Sequence, residues 1–266
     1  MHTREEQLAA FDRLLTIMEE LREKCPWDRV QTMESLRPNT IEETYELSDA
    51  ILNTDLKNIS KELGDVLLHI VFYAKIGKEK GAFDITDVIN LLCAKLVYRH
   101  PHVFSTTEVS GAAEVIQNWE QLKQKEKDGN KTVLSGVPAT LPPLIKAYRM
   151  QDKARAVGFD WAKKEDVWEK VEEEIGEFKE ELKSMDDNDE SKDKANRELG
   201  DLLFSIVNAS RLYDRNPDTA LEQTCLKFRN RFTYVELAAK EQGKQLKELT
   251  LEQMDNLWNE AKSKGL

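Results

Sequence analysis

Glu62–Val71 reads ELGDVLLHIV, and Glu198–Val207 reads ELGDLLFSIV. Two stretches this similar in one chain point to a repeat. The surroundings agree. An earlier acidic phrase precedes each stretch, Glu42-Glu43-x-x-Glu46 in the first half and Glu173-Glu174-x-x-Glu177 in the second. Downstream, Lys95 and Arg99 stand four apart, as do Lys227 and Arg231; Trp119 and Lys123 are matched by Trp258 and Lys262. The same order of residues, kept twice, marks two copies of one domain.

The segment Asp128–Pro143, DGNKTVLSGVPATLPP, lies between the copies and lacks helical periodicity. Its glycines and prolines read as a linker. The expected organisation is a first domain over 1–127, a linker over 128–143 and a second domain over 144–266.

Apolar spacing outside the linker is helical throughout. Leu8, Phe11, Leu14, Leu15, Met18 and Leu21 recur at three and four residues, forming one face of a first helix. That helix stops before Cys25-Pro26. Pro38 is read as a break or a start, with a helix over Thr40–Leu52. Further helices are expected over Leu56–Lys78, with Leu63, Val66, Leu67, Ile70 and Val71 as its apolar face, then Asp84–Tyr98 and Gly111–Lys127. The second half continues with Leu144–Arg155, Lys164–Lys183, Lys194–Tyr213, Pro217–Gln242 and Thr250–Lys264. Ser184–Lys194 between them reads as a solvated loop; the spacing and glycine of a calcium loop are absent. With only 11 glycines and 7 prolines in 266 residues, an all-α chain is expected over a turn-rich sheet protein.

The formal net charge is -11, which argues against direct nucleic-acid binding. A phosphate ligand is still allowed, because a bound cation and a few local basic residues can hold it. The three cysteines, Cys25, Cys93 and Cys225, form no Cys-x-x-Cys pair. They read as reduced thiols of a cytoplasmic protein. The N-terminal residues read as an amphipathic helix rather than a signal peptide, and no apolar run nears the roughly 20 residues that span a bilayer.

Residues three apart on a helix share a face. Glu174 and Glu177 therefore project together, as do Glu198 and Asp201, and two such helices packed together present four carboxylates to one another. Unpaired, they would repel. A hard divalent cation with oxygen ligands relieves that repulsion, and Mg²⁺ in particular bridges to phosphates. Glu43, Glu46, Glu62 and Asp65 offer a possible second site of the same kind. Acids at this spacing also decorate solvated helices; the apolar run Val66-Leu67-Leu68 beside Glu62 and Asp65 argues for a facing helix, with Gly64 permitting close approach. Lys227 and Arg231 share a helix face, either as phosphate ligands or as a solvated basic face. Trp258 is either a stacking platform for a base or a core residue, with Lys262 beside it. His100 and His102 read as capping or loop-packing residues.

These features resemble the MazG family of nucleoside triphosphate pyrophosphohydrolases, in its form with two tandem domains. The resemblance rests on CPWD at Cys25–Asp28, SLRP at Ser35–Pro38, EETYE at Glu42–Glu46, ELGDVLL at Glu62–Leu68 and RHPHVF at Arg99–Phe104. In the second half it rests on VGFDW at Val157–Trp161, EEIGE at Glu173–Glu177, ELGDLLF at Glu198–Phe204 and KFRNRF at Lys227–Phe232. It implies a helical bundle that dimerises through helices, and Mg²⁺-dependent hydrolysis of NTPs and dNTPs to monophosphate and pyrophosphate, with Mn²⁺ as an alternative ion. It also implies a catalytic second domain. There Glu174, Glu177, Glu198 and Asp201 would be metal ligands and catalytic groups, and Glu173, Lys227, Arg231, Trp258 and Lys262 would contact the nucleotide. Arg197 departs from the family pattern, which often has an acid there. Either Glu173 or Glu177 would act on the attacking water. The competing reading is a nucleotide-sensing or partner-binding helical protein with weak turnover.

Overall fold

The computed structural model describes residues 1–111, 114–115, 118–119, 122–123, 132–186 and 188–266. Among these residues there are helices and turns but no strand. The chain divides into two compact units, Met1–Val109 and Ser110–Leu266. Most of the helix expected over Gly111–Lys127, and residues 128–131 of the expected linker, lie outside the described residues. The rest of that linker holds a 3₁₀ turn at Val133–Gly136 and the first residue of the next helix. Among the described residues, no helix is long and apolar enough to cross a membrane.

In the first unit, α1 (Arg4–Lys24) and the short α2 (Pro26–Val30) precede the long pair α3 (Met33–Leu52) and α4 (Leu56–Glu79). Ile85–Arg99 (α5) and Pro101–Phe104 (α6) follow. Thr3 caps α1 in a capping box with Glu6, satisfying amides that the first turn leaves free. The core gathers Met18, Leu36, Val71, Phe72 and Ile76, with Phe11, Leu14 and Leu15 packed against it. Arg22 ties the unit together. It donates to both carboxylate oxygens of Glu79, at 3.1 and 2.5 Å, and lies over the Phe72 ring at 5.5 Å. Gly77 is required where it stands, because a Cβ there would lie 2.8 Å from the Phe83 carbonyl oxygen.

Three expectations for this unit change. α3 begins at Met33 and runs through Pro38, because the capping box of Thr32 and Ser35 starts the helix earlier. Pro38 removes one hydrogen bond, and burial of Leu36 and Ala50 holds the helix across it. The apolar face of α4 is also rotated. Val71, Phe72 and Ile76 are buried, while Leu63, Leu67 and Ile70 are exposed. Finally, Gly64 does not mediate a close approach: a Cβ there would meet nothing within 4 Å, and the same holds for Gly176 and Gly200.

The second unit contains α7 (Pro143–Ala156), α8 (Val167–Ser184), α9 (Asp189–Leu212), α10 (Pro217–Glu241) and α11 (Leu251–Ser263). A short loop joins α8 to α9, so they pack as a helical hairpin. Val167, Val171 and Ala209 form the buried centre, with Ile175, Leu202 and Leu212 against it. The loop expected over Ser184–Lys194 is shorter than expected. Asn188 accepts from the Ser191 amide and starts α9 five residues before Lys194. Asp189 and Glu190 then sit in the first turn, where the helix dipole favours negative charge. His100 caps the junction of α5 and α6, its Nδ1 donating to the Leu96 carbonyl at 2.6 Å, in keeping with a capping role.

Candidate active site

The α8–α9 hairpin brings three acids together. One carboxylate oxygen from each of Glu174, Glu198 and Asp201 lies within 4.8 Å of the others. Glu174 is buried, Glu198 half-buried and Asp201 exposed. α3 and α4 repeat the arrangement with Glu43, Glu62 and Asp65, where Glu62 is the buried member. The fourth acid of each expected set, Glu177 and Glu46, is exposed and lies outside the tight group. Glu177 nonetheless feels its neighbours: desolvation, then the charges of Glu174 and Glu173, raise its carboxyl above the ordinary value.

Each cluster has a lysine partner. Lys170 lies one turn before Glu174 and contacts it at 2.7 Å and Glu173 at 3.0 Å. Those two contacts raise the lysine well above its usual range. Lys61 contacts Glu62 at 2.9 Å. Lys170 was not singled out from the sequence; its signal was its position four residues before the buried acid. The Glu62 Oε2 atom remains buried with no hydrogen-bond partner among the described residues. Glu43 is raised first by burial and then by Asp65 and Glu46. Like-charged, all-oxygen donor sets with one buried member each fit a hard divalent cation.

A cavity of about 290 Å³ opens beside the second cluster, lined by Lys170, Glu174, Asp201, Phe204 and Asn208 among others. Lys227 and Arg231 do not line it. Lys227 is exposed on α10. Arg231 lies over the Trp258 ring at 5.7 Å and donates through Nε to the Leu266 carbonyl at 2.6 Å. Phe228 packs on the other partner of this group, with its ring centroid 5.2 Å from that of Trp258. Lys262 is exposed on α11. The structure thus joins Arg231 to Trp258, and Glu174 to Glu198 and Asp201, as two separate groups of contacts.

Two facing helices that carry acids at three-residue spacing form, beside this cavity, an all-helical oxygen donor set that fits a divalent cation. The MazG nucleotide pyrophosphohydrolase domain is matched twice, over residues 31–104 and 163–235, and each match contains one acidic cluster. The chain is 44% identical over 257 residues to the nucleoside triphosphate pyrophosphohydrolase/pyrophosphatase MazG of Thermotoga maritima, covering 95% of each chain. It is 39% identical to the nucleoside triphosphate pyrophosphohydrolase of Escherichia coli, over 95% of this chain and 97% of that one. The chain belongs to the MazG nucleotide pyrophosphohydrolase family, with the domain present in tandem.

Proposed function

We propose that this protein hydrolyses nucleoside triphosphates, ribo- or deoxyribo-, to the monophosphate and pyrophosphate, and that the second unit carries the reaction. The observation behind the reading is the convergence of Glu174, Glu198 and Asp201 within 4.8 Å beside an open cavity. Mg²⁺, or Mn²⁺ in its place, would supply charge neutralisation of the phosphates and a lowered pKa for the attacking water. Glu174, Glu198 and Asp201 would hold the cation, with Glu177 completing the set or orienting the water. Glu177 is the better placed of the two candidates to act on the water, because Glu173 is engaged by Lys170. Lys227 and Arg231 balance charge on the phosphate chain, with Glu173, Trp258 and Lys262 as further nucleotide contacts.

The working protein is proposed as a cytoplasmic homodimer, organised as domains over 1–127 and 144–266 with a linker between. Support for a second copy comes from two exposed apolar stripes, Leu63, Leu67 and Ile70 on α4 and Leu199, Leu203 and Ile206 on α9. At four- and three-residue spacing these are helix faces suited to another helix.

Product analysis with α-labelled and γ-labelled triphosphate tests the cleavage position. Monophosphate and pyrophosphate are expected; diphosphate and phosphate would overturn the reading. Glu174→Ala and Asp201→Ala should each abolish pyrophosphate release while the circular dichroism stays helical.

A further inference from the structure

The far end of α11 is organised around Arg231. Trp258 and Lys262 stand on this helix one turn apart, and the Arg231 guanidinium lies over the Trp258 ring at 5.7 Å. Just beyond the helix, the Leu266 carbonyl accepts a hydrogen bond from Arg231 Nε at 2.6 Å. That bond joins positions 35 residues apart and ties α11 to α10.

A helix cap holds the carbonyl in place. Gly265 adopts φ +83°, the left-handed conformation that residues with a Cβ rarely take. The turn sends the Gly265 amide to the Lys262 carbonyl at 3.1 Å and the Leu266 amide to the Ala261 carbonyl at 3.2 Å. These two bonds make a Schellman motif, which closes a helix end and fixes the residue after the glycine. Its anchor, Ala261, is fully buried. A Cβ on Gly265 would meet nothing within 4 Å. The position therefore demands a backbone conformation rather than space.

This cap decides how Arg231 can be used. A guanidinium can grip a phosphate along two edges, one made by Nε and an Nη, the other by the two Nη groups. With Nε given to Leu266, the first edge is closed and the Nη1–Nη2 edge remains. Neither Nη donates to a partner among the described residues. Held by the carbonyl and by the Trp258 ring, the guanidinium is ordered before a ligand arrives. Less side-chain entropy is then lost on binding.

We propose that the cap formed by Gly265 and Leu266 is a positioning element for Arg231, presenting its Nη1–Nη2 edge to the phosphate chain of the nucleoside triphosphate. The cap touches no substrate atom and acts through Arg231. The inference rests on the reading of Arg231 as a phosphate contact.

The test is steady-state pyrophosphate release from ATP by the full chain. Gly265→Val puts a β-branched residue at positive φ and should lower kcat/KM about tenfold, the result of a misplaced binding group. Gly265→Asn still adopts a positive φ and should stay within about threefold of wild type. Arg231→Lys keeps the charge but loses the Nε–H and the fork, and should lower kcat/KM about tenfold or more. In that background Gly265→Val should change kcat/KM by less than about twofold, because two changes acting through one contact do not add. A cap that only stabilised the helix would give losses that multiply. The inference alone is overturned if Gly265→Val keeps wild-type kcat/KM while Arg231→Lys loses it. It is also overturned if Gly265→Asn loses as much as Gly265→Val, or if the Gly265→Val loss persists in full in the Arg231→Lys background. A gain in kcat/KM from Gly265→Val overturns it too, because the carbonyl would then be competing with the phosphates for Arg231. Wild-type kcat/KM in Arg231→Lys would instead sink the reading of Arg231 as a phosphate contact, and the inference with it.

Discussion

The two acidic clusters share a spacing but differ in what surrounds them. In the first unit the buried acid is Glu62, on the later helix, and Lys61 meets it from an exposed position. In the second the buried acid is Glu174, on the earlier helix, and Lys170 meets it inside the cavity wall. A cavity beside the first cluster, about 570 Å³, is lined by Glu42, Glu46, Asp49, Asp55 and Glu62 among others. The cavity beside the second cluster is instead lined by Lys170, Phe204 and Asn208 together with Glu174 and Asp201. Both clusters can hold a cation. A polyanion is favoured at the second, since the further acids of the first would repel it. A repeated carboxylate spacing therefore comes with two different surroundings.

The strongest way to break this contrast is paired neutralisation. Glu174→Gln with Asp201→Asn should lower pyrophosphate release by about 1,000-fold or more, the scale of losing stabilisation of transition-state charge. Glu62→Gln with Asp65→Asn should leave turnover within about twofold. Equal losses in the two pairs would erase the functional difference between the units. Nearly normal turnover in the first-unit pair would support a regulatory or structural use of that cluster.

The next effect concerns what holds each unit together. Arg211, with a side chain 5% exposed, pins Asp160 to α9; Arg22, 10% exposed, pins Glu79 to α1. Removing one partner of a buried pair leaves the other charge stranded, at about 3 kcal/mol or more. Arg211→Leu should cost about that much in chemical denaturation. Arg22→Leu should cost less, about 1–2 kcal/mol, because Glu79 is 38% exposed and solvent screens it. The reverse order would mean that the first unit depends more on its clamp than burial indicates.

The apolar stripes give a smaller effect and sharpen the comparison at the level of assembly. Leu203→Glu on α9 and Leu67→Glu on α4 should each weaken self-association by about thirtyfold, the value of one buried hot-spot side chain. Sedimentation velocity over a concentration series reads this directly. An assembly unchanged by Leu67→Glu would confine the interface to the second unit, and one unchanged by both would remove the stripes as its basis.

Much of this was legible in the sequence because helices and carboxylate spacing are local properties. ELGDVLLHIV and ELGDLLFSIV carry both their helical register and their i, i+3 acids within a single turn. Element ends were less legible where capping chemistry competed with stronger-looking signals. Pro38 looked like a boundary, yet Thr32 and Ser35 start the helix before it. The run after Ser184 looked like loop, yet Asn188 caps a helix within it. Facing was less legible still: Leu63, Leu67 and Ile70 are as apolar as Val71 and Phe72, and only the packing against α1 and α3 separates exposed from buried. Lys170 was missed for a related reason. A lone Lys on a helix has no motif, and its importance arises from the buried Glu174 it meets.

The smallest effect is the acid dependence of the two clamps. The hydrogen bond from Arg22 lowers the Glu79 carboxyl, and Arg211 outweighs burial to lower that of Asp160. A folded-state value below the unfolded one gives stability that is fully present above the unfolded pKa, about 4 for these groups. It is lost as pH falls through the folded value. Wild-type stability should therefore decline below about pH 4, with Asp160 among the contributing groups. Asp160→Asn should lose stability at neutral pH and show a flatter decline on acidification, and Glu79→Gln should change the acid limb less because its carboxylate is more exposed. Denaturation midpoints collected from pH 7 to pH 3 measure both slopes. If Asp160→Asn kept the wild-type slope, the acid sensitivity would belong to other carboxylates, and the clamp of the second unit would be holding by packing of the Arg211 stem rather than by charge.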